Sequence, residues 1–442
     1  MKKLFTISLT SCLYLGAFAQ NVGIGTTTPN STAQLHVDLG TSTTNGLLVT
    51  GTLNVLGTVP DLGTGSRIMF YPAKVAFRAG YVSGTQWDQA NVGRYSTAMG
   101  ANTTASGQSS TAMGSNTTAS GNFSIAMGDF TTAMGGYSTS IGYSTVASGL
   151  YSTAMGISTH ASGNSATSMG NITTASGDYS TAIGGSTIAS GLYSTAMGDG
   201  STAGGHSSVA MGFTTIANGQ SSVAMGQFTA ASGLACYSMG LNTTASGDQS
   251  FAIGTNLSTN GKKGSCFLGD SDPYNRGVRV IGSLDQFAAR FNGGYYLISS
   301  NAGADIGVQV VAGGNSWTTA SDVRLKENFL PVIGESFLQK IGKMNLTSWN
   351  YKTQDRRTFR HYGPMAQDFY KAFGKDDLGT IGCDTLINQQ DFLGVNLIAI
   401  QALEKRTATL NAENTELKNE VSKLKSRLDK LEKVMCNKYF FY

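Results

Sequence analysis

The sequence predicts a mainly β protein in which a long parallel β-solenoid is followed by a small charged α/β domain and a carboxy-terminal coiled coil. Three observations lead to this prediction. Glycine accounts for 57 of the 442 residues, and charged residues for only 13%, about half their usual share in globular proteins. A glycine recurs at every seventh position from Gly93 to Gly261. Of the 56 charged residues, 34 lie within residues 321–442.

The composition excludes several classes of protein. Hydrophobic residues make up 40% of the chain, which is too many for a chain that is disordered because it has no core. Only 6 prolines and no Gly-X-Y period exclude collagen. The net charge of +4 is small for this length, so no basic surface for nucleic acid is expected.

The amino terminus predicts export. Two lysines precede an apolar stretch over residues 4–15, and Ala17-Phe18-Ala19 forms a small-x-small cleavage site. Residues 1–19 are therefore predicted to be a signal peptide. A lipoprotein signal that ends at Cys12 is the alternative. A membrane anchor is disfavoured, because the apolar run is shorter than the ~20 residues that span a bilayer.

Residues that could hold a metal or a cofactor are sparse. Four cysteines remain after the predicted signal peptide, and none belongs to a CxxC pair or lies at a metal-binding spacing from a histidine. We therefore expect buried free thiols, no metal and no cofactor. The four are Cys236, Cys266, Cys383 and Cys436.

The glycine series has a 14-residue unit. One half reads Tyr-Ser-Thr-Ala-Met-Gly, as in residues 95–100, and the other reads Asn-Thr-Thr-Ala-Ser-Gly, as in residues 102–107. Two short strands joined by glycine corners make one coil of a flattened β-solenoid. No proline interrupts residues 93–261, as a continuous ladder requires. About twelve coils at roughly 4.8 Å per rung predict a rod about 55–60 Å long.

This repeat resembles the left-handed β-roll heads of trimeric autotransporter adhesins, in which Ser-x-Ala-Met/Ile-Gly recurs every 14 residues. The resemblance covers residues 93–261. It implies a left-handed solenoid and a homotrimer with three rolls side by side, a trimeric β-roll. It also implies an adhesive surface protein whose receptor is an unidentified glycan or protein.

The repeat offers no paired carboxylates within one chain. Its four acidic residues each follow a corner glycine, and those that share a column are five coils apart, roughly 24 Å. Glycoside hydrolysis usually uses two carboxylates about 5–10 Å apart. Solvated corner residues are the simpler interpretation, and a polysaccharide-cutting fibre with sites between subunits stays open. The four are Asp129, Asp178, Asp199 and Asp248.

The most informative motif is Ser-Asp-Val-Arg-Leu-Lys at residues 321–326. On its own it indicates a strand that turns into a short element, with Ser321 or Asp322 as the turn or cap residue. A serine five residues before a lysine can also form a nucleophile–base pair, provided that the lysine is desolvated and neutral.

Further motifs follow in order. They are Trp349-Asn350-Tyr351-Lys352, then His361-Tyr362-Gly363-Pro364-Met365-Ala366-Gln367-Asp368, then a terminal heptad pattern. With the 321–326 motif they resemble the endosialidase-type intramolecular chaperone domain over about residues 320–435. That domain ends phage tail spikes and related trimeric fibres, assists folding of a trimeric β-stalk and then cuts itself off.

The resemblance implies roles for four residues. Ser321 and Lys326 would form the self-cleaving dyad of a serine peptidase, and Ala320 and Asp322 would flank the cleaved position. Either bond next to Ser321 can be the scissile one. No role is carried over to His361, because the chain departs from the family's usual pattern just after it.

Residues 396–435 predict a coiled-coil helix, because leucine recurs in register at one core position of five heptads. Asn414 at a core position is more typical of dimers. The two resemblances imply trimers, and we expect a trimer. The leucines are Leu403, Leu410, Leu417, Leu424 and Leu431, and the partner positions are Ile400, Thr407, Asn414, Val421, Leu428 and Met435.

The patterns together predict a trimeric surface or secreted fibre whose carboxy-terminal chaperone aligns the chains and is released by Ser-Lys autoproteolysis. Such cleavage would be a single event and not enzymatic turnover. The alternatives are a chaperone domain that holds the trimer without cleavage and the polysaccharide-cutting fibre. The predicted segments are a signal peptide (1–19), a β stalk or cap (20–92), the solenoid head (93–261), a β neck (262–319), the chaperone domain (320–395) and the coiled coil (396–435).

Overall fold

The computed structural model divides the chain into two compact units, which are described separately. The first comprises Met1–Ser299 with Gly307–Thr318, and the second Ser300–Ile306 with Thr319–Tyr442. The residues that the structure describes are 22–26, 28, 33–38, 40, 46–54, 57–272, 274–299, 307–319, 321–376 and 379–439. The predicted signal peptide and Ala320 lie outside the described residues.

The first unit is dominated by a parallel β-solenoid, in which each coil contributes one long and one short strand. Each strand residue pairs with the residue 14 positions further on, as in Thr153 with Thr167 and Gly156 with Gly170. The long strands are Thr97–Ala101, Thr111–Ser115, Ile125–Asp129, Thr139–Tyr143, Thr153–Ile157, Thr167–Asn171, Thr181–Gly185, Thr195–Asp199, Val209–Phe213, Val223–Gln227, Tyr237–Ala245 and Phe251–Ser258. The short strands are Thr104–Ala105, Thr118–Ala119, Thr132–Ala133, Val146–Ala147, His160–Ala161, Thr174–Ala175, Ile188–Ala189, Thr202–Ala203, Ile216–Ala217 and Ala230–Ala231.

Glycine is required at both corners of each coil. Gly170 has a φ of +121°, and a Cβ there would lie 2.1 Å from the carbonyl oxygen of Gly184. At the other corner Gly163 would meet the carbonyl oxygen of Gly177 at the same distance. The first corner therefore needs glycine for its backbone conformation, and both need it for close contact between coils.

The core of the roll is lined by small side chains. Alanine columns, such as the one through Ala154 and Ala182, are fully buried. In a serine column some hydroxyls bind the adjacent corner, as in Ser152 Oγ, which donates to Gly149 O at 2.7 Å. Others, such as those of Ser180 and Ser194, are buried and have no hydrogen-bond partner in the described part of the chain. Where serine replaces an alanine, its hydroxyl binds the neighbouring threonine column, as between Ser168 and Thr173 at 2.7 Å. The interior of the coils is therefore narrow and is filled by small apolar and hydroxyl side chains.

The 14-residue spacing ends before the last glycine of the series. Gly254 lies against Gly269, and Phe251 pairs with Cys266, one residue more than the repeat. Gly261 has a φ of +70° and open space around it. It lies in a turn, where Lys262 N donates to Thr259 O at 2.8 Å. An inserted residue is thus absorbed in a turn and the ladder continues beyond it.

An antiparallel hairpin covers the first coil. Strand Gly65–Tyr71 pairs with Ala76–Val82, which in turn stacks in parallel on Thr97–Ala101. This register places Arg78 in a core alanine column, where its guanidinium donates to Ser96 Oγ at 2.8 Å and to Ala105 O at 3.1 Å. Burial lowers the pKa of Arg78 to about 10. The arginine fills the end of the narrow core.

Short strands continue after the repeat. An ion network of Asp270, Asp272 and Arg290 lies at this end of the solenoid, with Arg290 Nε 3.4 Å from Asp270 Oδ1. The strands are Cys266–Gly269, Arg279–Val280 and Phe287–Arg290 in the solenoid sheet, then Gly294–Ile298 paired antiparallel with Gly307–Val311, and Thr318–Thr319. Near the amino terminus, Val22–Ile24 pairs in parallel with Leu35–Val37.

The described residues of the second unit form three α-helices. We call them α1, Gly334–Gly342, α2, Ala366–Phe373, and α3, Gln389–Tyr439. Two small antiparallel pairs accompany them, Thr347–Trp349 with His361–Gly363 and Lys375–Asp376 with Gly379–Thr380. The core lies where the start of α3 meets α1 and α2, and its members are Phe337, Ile341, Met344, Phe369, Ala372, Phe373, Ile387, Phe392 and Val395.

The prediction of a mainly β solenoid followed by a small mixed domain and a long carboxy-terminal helix is confirmed. In the single chain the leucines of the heptad series are exposed along α3. Among the described residues, no helix is long and apolar enough to cross a bilayer.

Candidate functional site

A single turn of 3₁₀-helix, Val323–Leu325, brings Ser321 and Lys326 together. Asp322 caps the turn, since its Oδ1 accepts from Arg324 N at 2.9 Å. The backbone N–H of Lys326 closes the turn on Val323 O at 3.1 Å. The lysine side chain then folds back, and Lys326 Nζ donates to Ser321 Oγ at 2.7 Å.

Arg324 holds the Asp322 carboxylate. Its Nε contacts both carboxylate oxygens at 3.0 Å, and its Nη2 donates to Oδ2 at 2.5 Å. The Arg324 side chain, followed by its backbone N–H, lowers the pKa of Asp322. The carboxylate therefore stays ionised and engaged by arginine, which leaves Lys326 as the basic group that contacts the serine.

The site is open to solvent in the single chain. Ser321 and Lys326 are both exposed, and so are the apolar side chains of Val323, Leu325 and Phe329 around them. A lysine accepts a proton only in its neutral form, and burial favours that form. The single chain thus supplies the contact geometry of a nucleophile–base pair but leaves the lysine in water.

The structure brings together three of the four residues singled out in the sequence. Ser321 and Lys326 are in contact, Asp322 lies beside them as the cap, and Ala320 lies outside the described residues. The pairing of Asp322 with Arg324 was not foreseen. The Asp-x-Arg spacing was the available signal, because an aspartate cap commonly binds the backbone two residues on.

His361 has a structural environment. Its ring stacks on Trp349 with centroids 4.6 Å apart, and its Nε2 lies 3.1 Å from Gln354 Oε1. The stack joins the two strands of the Thr347–Trp349 and His361–Gly363 pair. These contacts account for a histidine at this position without a role in proton transfer.

Two of the solenoid's acidic residues bind corner amides. Asp178 Oδ1 accepts from Asn164 N at 2.8 Å, and Asp248 Oδ1 accepts from Leu234 N at 2.9 Å. Each carboxylate therefore links its corner to the preceding coil. Among the described residues, no cluster of three or more histidine, cysteine or acidic side chains could hold a metal ion.

The two faces of the roll differ in polarity. On the long-strand face a column of methionine and isoleucine points outward and is half-buried or exposed, whereas the short-strand face carries mostly threonine and serine. The methionine column comprises Met99, Met113, Met127, Ile141, Met155, Met169, Ile183, Met197, Met211, Met225, Met239 and Ile253.

Two family models match the chain. Residues 321–378 match the chaperone of endosialidase, a peptidase family of class S74. Seven stretches match the YadA head domain repeat: 92–117, 105–131, 133–159, 161–187, 189–215, 217–234 and 237–256. Both resemblances read from the sequence are thereby confirmed. No curated protein matches the chain.

Proposed function

We propose that the chain is one subunit of a trimeric, adhesin-like fibre at the cell surface or in the medium, and that its carboxy-terminal domain aligns three chains and then cuts itself off at Ser321. The observation that carries the proposal is the 2.7 Å contact between Lys326 Nζ and Ser321 Oγ. It lies within a segment that matches the chaperone of endosialidase.

The outward face of the solenoid supports assembly. The methionine column runs along the whole repeat, and an unbroken apolar strip of this length is unusual on a protein that stays monomeric. Methionine is flexible and adapts to a neighbouring surface. Three copies that pack through this face would remove the strip from water and leave the threonine- and serine-rich faces outside.

The helix α3 supports assembly through the second unit. From Leu403 to Leu431 its leucines are exposed in the single chain. A stripe of leucines at every seventh residue of a helix is normally buried against a partner helix in a coiled coil. A coiled coil of three such helices would hold the chains together before the solenoids form.

The chemical step uses the dyad in the usual order. Lys326, once neutral, takes the proton of Ser321 Oγ, and the oxygen bonds to a peptide carbonyl carbon. The C–N bond of that peptide breaks, and its nitrogen receives the proton. Water then hydrolyses the resulting ester and restores the serine, so one peptide bond is exchanged for one water molecule.

The two bonds that flank Ser321 differ in the route they require. Attack on the carbonyl of Ala320 is an N-to-O acyl shift within one chain. Attack on the serine's own carbonyl would close a strained β-lactone, so cleavage of the Ser321–Asp322 bond is expected only from Ser321 of another copy. The two routes leave fragments that differ by one serine.

Alignment followed by release suits this sequence. A 14-residue repeat offers many equivalent wrong registers between chains, and non-local β pairing is slow. A locally folding coiled coil aligns three chains at one end and raises their effective concentration. Loss of the chaperone afterwards removes the means to refold, so unfolding becomes irreversible and the lifetime of the rod is set by its unfolding rate.

One experiment tests both halves of the proposal. Full-length Ser321→Ala protein should be a trimer by light scattering, with each chain intact, while the wild type should be a trimer of shortened chains. A monomeric Ser321→Ala protein would refute the fibre, and intact wild-type trimers would favour the alternative of a chaperone that does not cleave. The receptor, a glycan or a protein, would then be sought with the trimer.

A further inference from the structure

We infer that a groove at the carboxy-terminal end of the solenoid is the surface on which the neck of one chain packs against the neck of a second copy. The groove has a volume of about 690 Å³. Its apolar lining includes Leu268, Phe287, Phe291, Leu297, Val310 and Trp317. The inference rests on the proposed trimer and specifies where its subunits meet after the repeat has ended.

The groove is built by strands of the first unit. One side is the end of the solenoid sheet, Cys266–Gly269 and Phe287–Arg290, and the other is the hairpin of Gly294–Ile298 and Gly307–Val311. Tyr295 OH donates to Ala289 O at 2.6 Å and so ties the hairpin to the sheet. The cleft is therefore formed in the single chain before any partner arrives.

Large apolar side chains of the groove face water. Phe287 is 67% exposed, Leu297 59% and Trp317 57%. A single exposed apolar residue needs no explanation, but a contiguous aromatic patch marks an interaction surface. Tryptophan and phenylalanine at the centre of such a patch are typical anchors of protein–protein interfaces.

The ladder register shows what the groove continues. Tyr237, Phe251, Cys266 and Phe287 occupy one column, and the rings of Tyr237 and Phe251 stack with centroids 5.0 Å apart. The methionine column runs in parallel and ends at Leu268 and Ala289 in the groove. The groove is thus the last part of the outward face that the proposed trimer buries, which makes a second copy its occupant.

The polar chemistry of the groove argues against a sugar. A carbohydrate site needs several convergent polar groups besides its aromatic platform. Among the described residues that line the groove none is charged, and Asn315 and Ser316 are the only amide and aliphatic hydroxyl side chains. The lining has two phenol groups, of Tyr295 and Tyr296, and the Tyr295 hydroxyl already donates its proton to Ala289 O.

This contact would matter most after cleavage. Trp317 precedes Ser321 closely in the sequence and stays with the rod, whereas α3 leaves with the chaperone. The neck would then hold the three chains together at the end that the coiled coil had held before. The groove that is exposed in the single chain would thus be a subunit interface of the cleaved fibre.

Tryptophan fluorescence tests the inference. The sequence has 3 tryptophans, so the full-length Trp87→Phe, Trp349→Phe protein reports on Trp317 alone, whether or not it is cleaved. In trimers we expect blue-shifted emission and an acrylamide quenching constant severalfold below that of the unfolded protein. Trimers in which Trp317 emits and is quenched like free tryptophan would overturn the inference. The proposed trimeric fibre would be unaffected by that result. A shift of such exposed emission on adding an oligosaccharide would assign the groove to a ligand instead.

A second variant covers the case in which that protein does not fold. Trp317→Ala should weaken the association of the released rod by about tenfold or more. The uncleaved Ser321→Ala, Trp317→Ala precursor should stay trimeric through its coiled coil. Tyr274→Ala, which removes an exposed aromatic side chain outside the groove, is the matched control. Equal association of the Trp317→Ala and wild-type rods contradicts the inference.

Discussion

Lys326 Nζ lies 2.7 Å from Ser321 Oγ, and both side chains are exposed in the single chain. The contact depends only on the short turn between them, so it forms as soon as that turn forms. Activation of the serine needs a neutral lysine and therefore a dry environment. The proposed function therefore requires assembly to precede cleavage, since packing with other chains would supply that environment.

The dyad gives the first prediction. Ser321→Ala and Lys326→Ala should each abolish the split near residue 320 and leave trimers, because neither exposed side chain fills a core. Electrophoresis of the purified proteins after prolonged incubation is the measurement. Lys352→Ala removes another exposed lysine of the same unit and should cleave normally. Cleavage of the Ser321→Ala protein at the wild-type rate would show that Ser321 is not the nucleophile.

The cap of the turn gives the second. Asp322→Ala removes the acceptor of the Arg324 backbone N–H and loosens the turn that brings serine and lysine together. Asp322→Asn keeps a capping oxygen but loses the charge that pairs with Arg324. We expect cleavage severalfold slower in the alanine variant than in the asparagine variant. Equal rates in both would mean that the cap does not position the dyad.

The helix α3 gives the third. Leu417→Asn places an amide in the leucine seam and should reduce both trimer formation and cleavage, because the dyad depends on assembly. Lys418→Asn, the next residue along the helix and outside the seam, is the matched control. Light scattering of each variant combined with Ser321→Ala measures assembly separately from cleavage. A Leu417→Asn protein that cleaves as a monomer would separate the two events and refute their order.

Asn414→Leu tests the oligomeric state itself. The substitution keeps the helix and removes the one core amide in the predicted seam, a residue type that is more typical of dimers. We expect a more stable coiled coil and a change in the number of chains that it joins. Light scattering of the full-length Ser321→Ala, Asn414→Leu protein measures that number. Trimers of the Ser321→Ala protein both with and without Asn414→Leu would mean that the solenoid sets the number of chains.

The glycine corners give a prediction about the solenoid itself. Gly170→Ala would force a Cβ within 2.1 Å of the Gly184 carbonyl oxygen at a φ of +121°, and we expect destabilisation of more than about 1 kcal/mol. Gly136→Ala would place a Cβ 3.0 Å from the end of the Leu150 side chain and at an ordinary 3.8 Å from Asn122 O, and it should be tolerated. Hydrogen exchange of the coils on either side measures the difference. Equal protection in both variants would contradict the assigned corner geometry.

The ion network at the end of the solenoid gives a pH prediction. The backbone N–H of Asn292, with further help from Asp272 N and Arg290, lowers the pKa of Asp270. An acid whose pKa is lower in the folded state adds stability that is fully present above its unfolded pKa of about 3.9 and is lost as the pH falls through the folded value. Residues 266–298 should therefore lose exchange protection below about pH 4. Asp270→Asn should reduce that dependence and leave the part due to Asp272, whose pKa the Asn256 side chain also lowers. The central coils are the internal reference.

Much of the solenoid could be predicted because its constraint is local and repeated. Because each corner tolerates only glycine, glycine recurs at the same position of every coil. The 14-residue period therefore predicts the strand register from Thr97 to the end of the repeat. The leucine heptads predicted α3 for the same reason. The contact of Ser321 with Lys326 was also foreseeable, but only because a family motif drew attention to that spacing.

A cap and a neck were expected at the ends of the solenoid, but their contacts could not be predicted, since the repeat stops there and tertiary packing decides. An inserted residue near Gly261 moves that glycine out of the corner column and into a turn. At the other end Arg78 enters an alanine column, which is possible only because no full coil lies beyond it. The aromatic groove at Trp317 arises from segments far apart in sequence, and no periodic pattern announces it.

The intact mass of the exported wild-type protein tests the central claim most directly. After incubation of the purified trimer, we predict two chains: a rod that ends next to Ser321 and a chaperone fragment of about 120 residues, with masses that identify which flanking bond was cut. A single chain that still runs to Tyr442, in trimers confirmed by light scattering, would contradict autoproteolysis at this site.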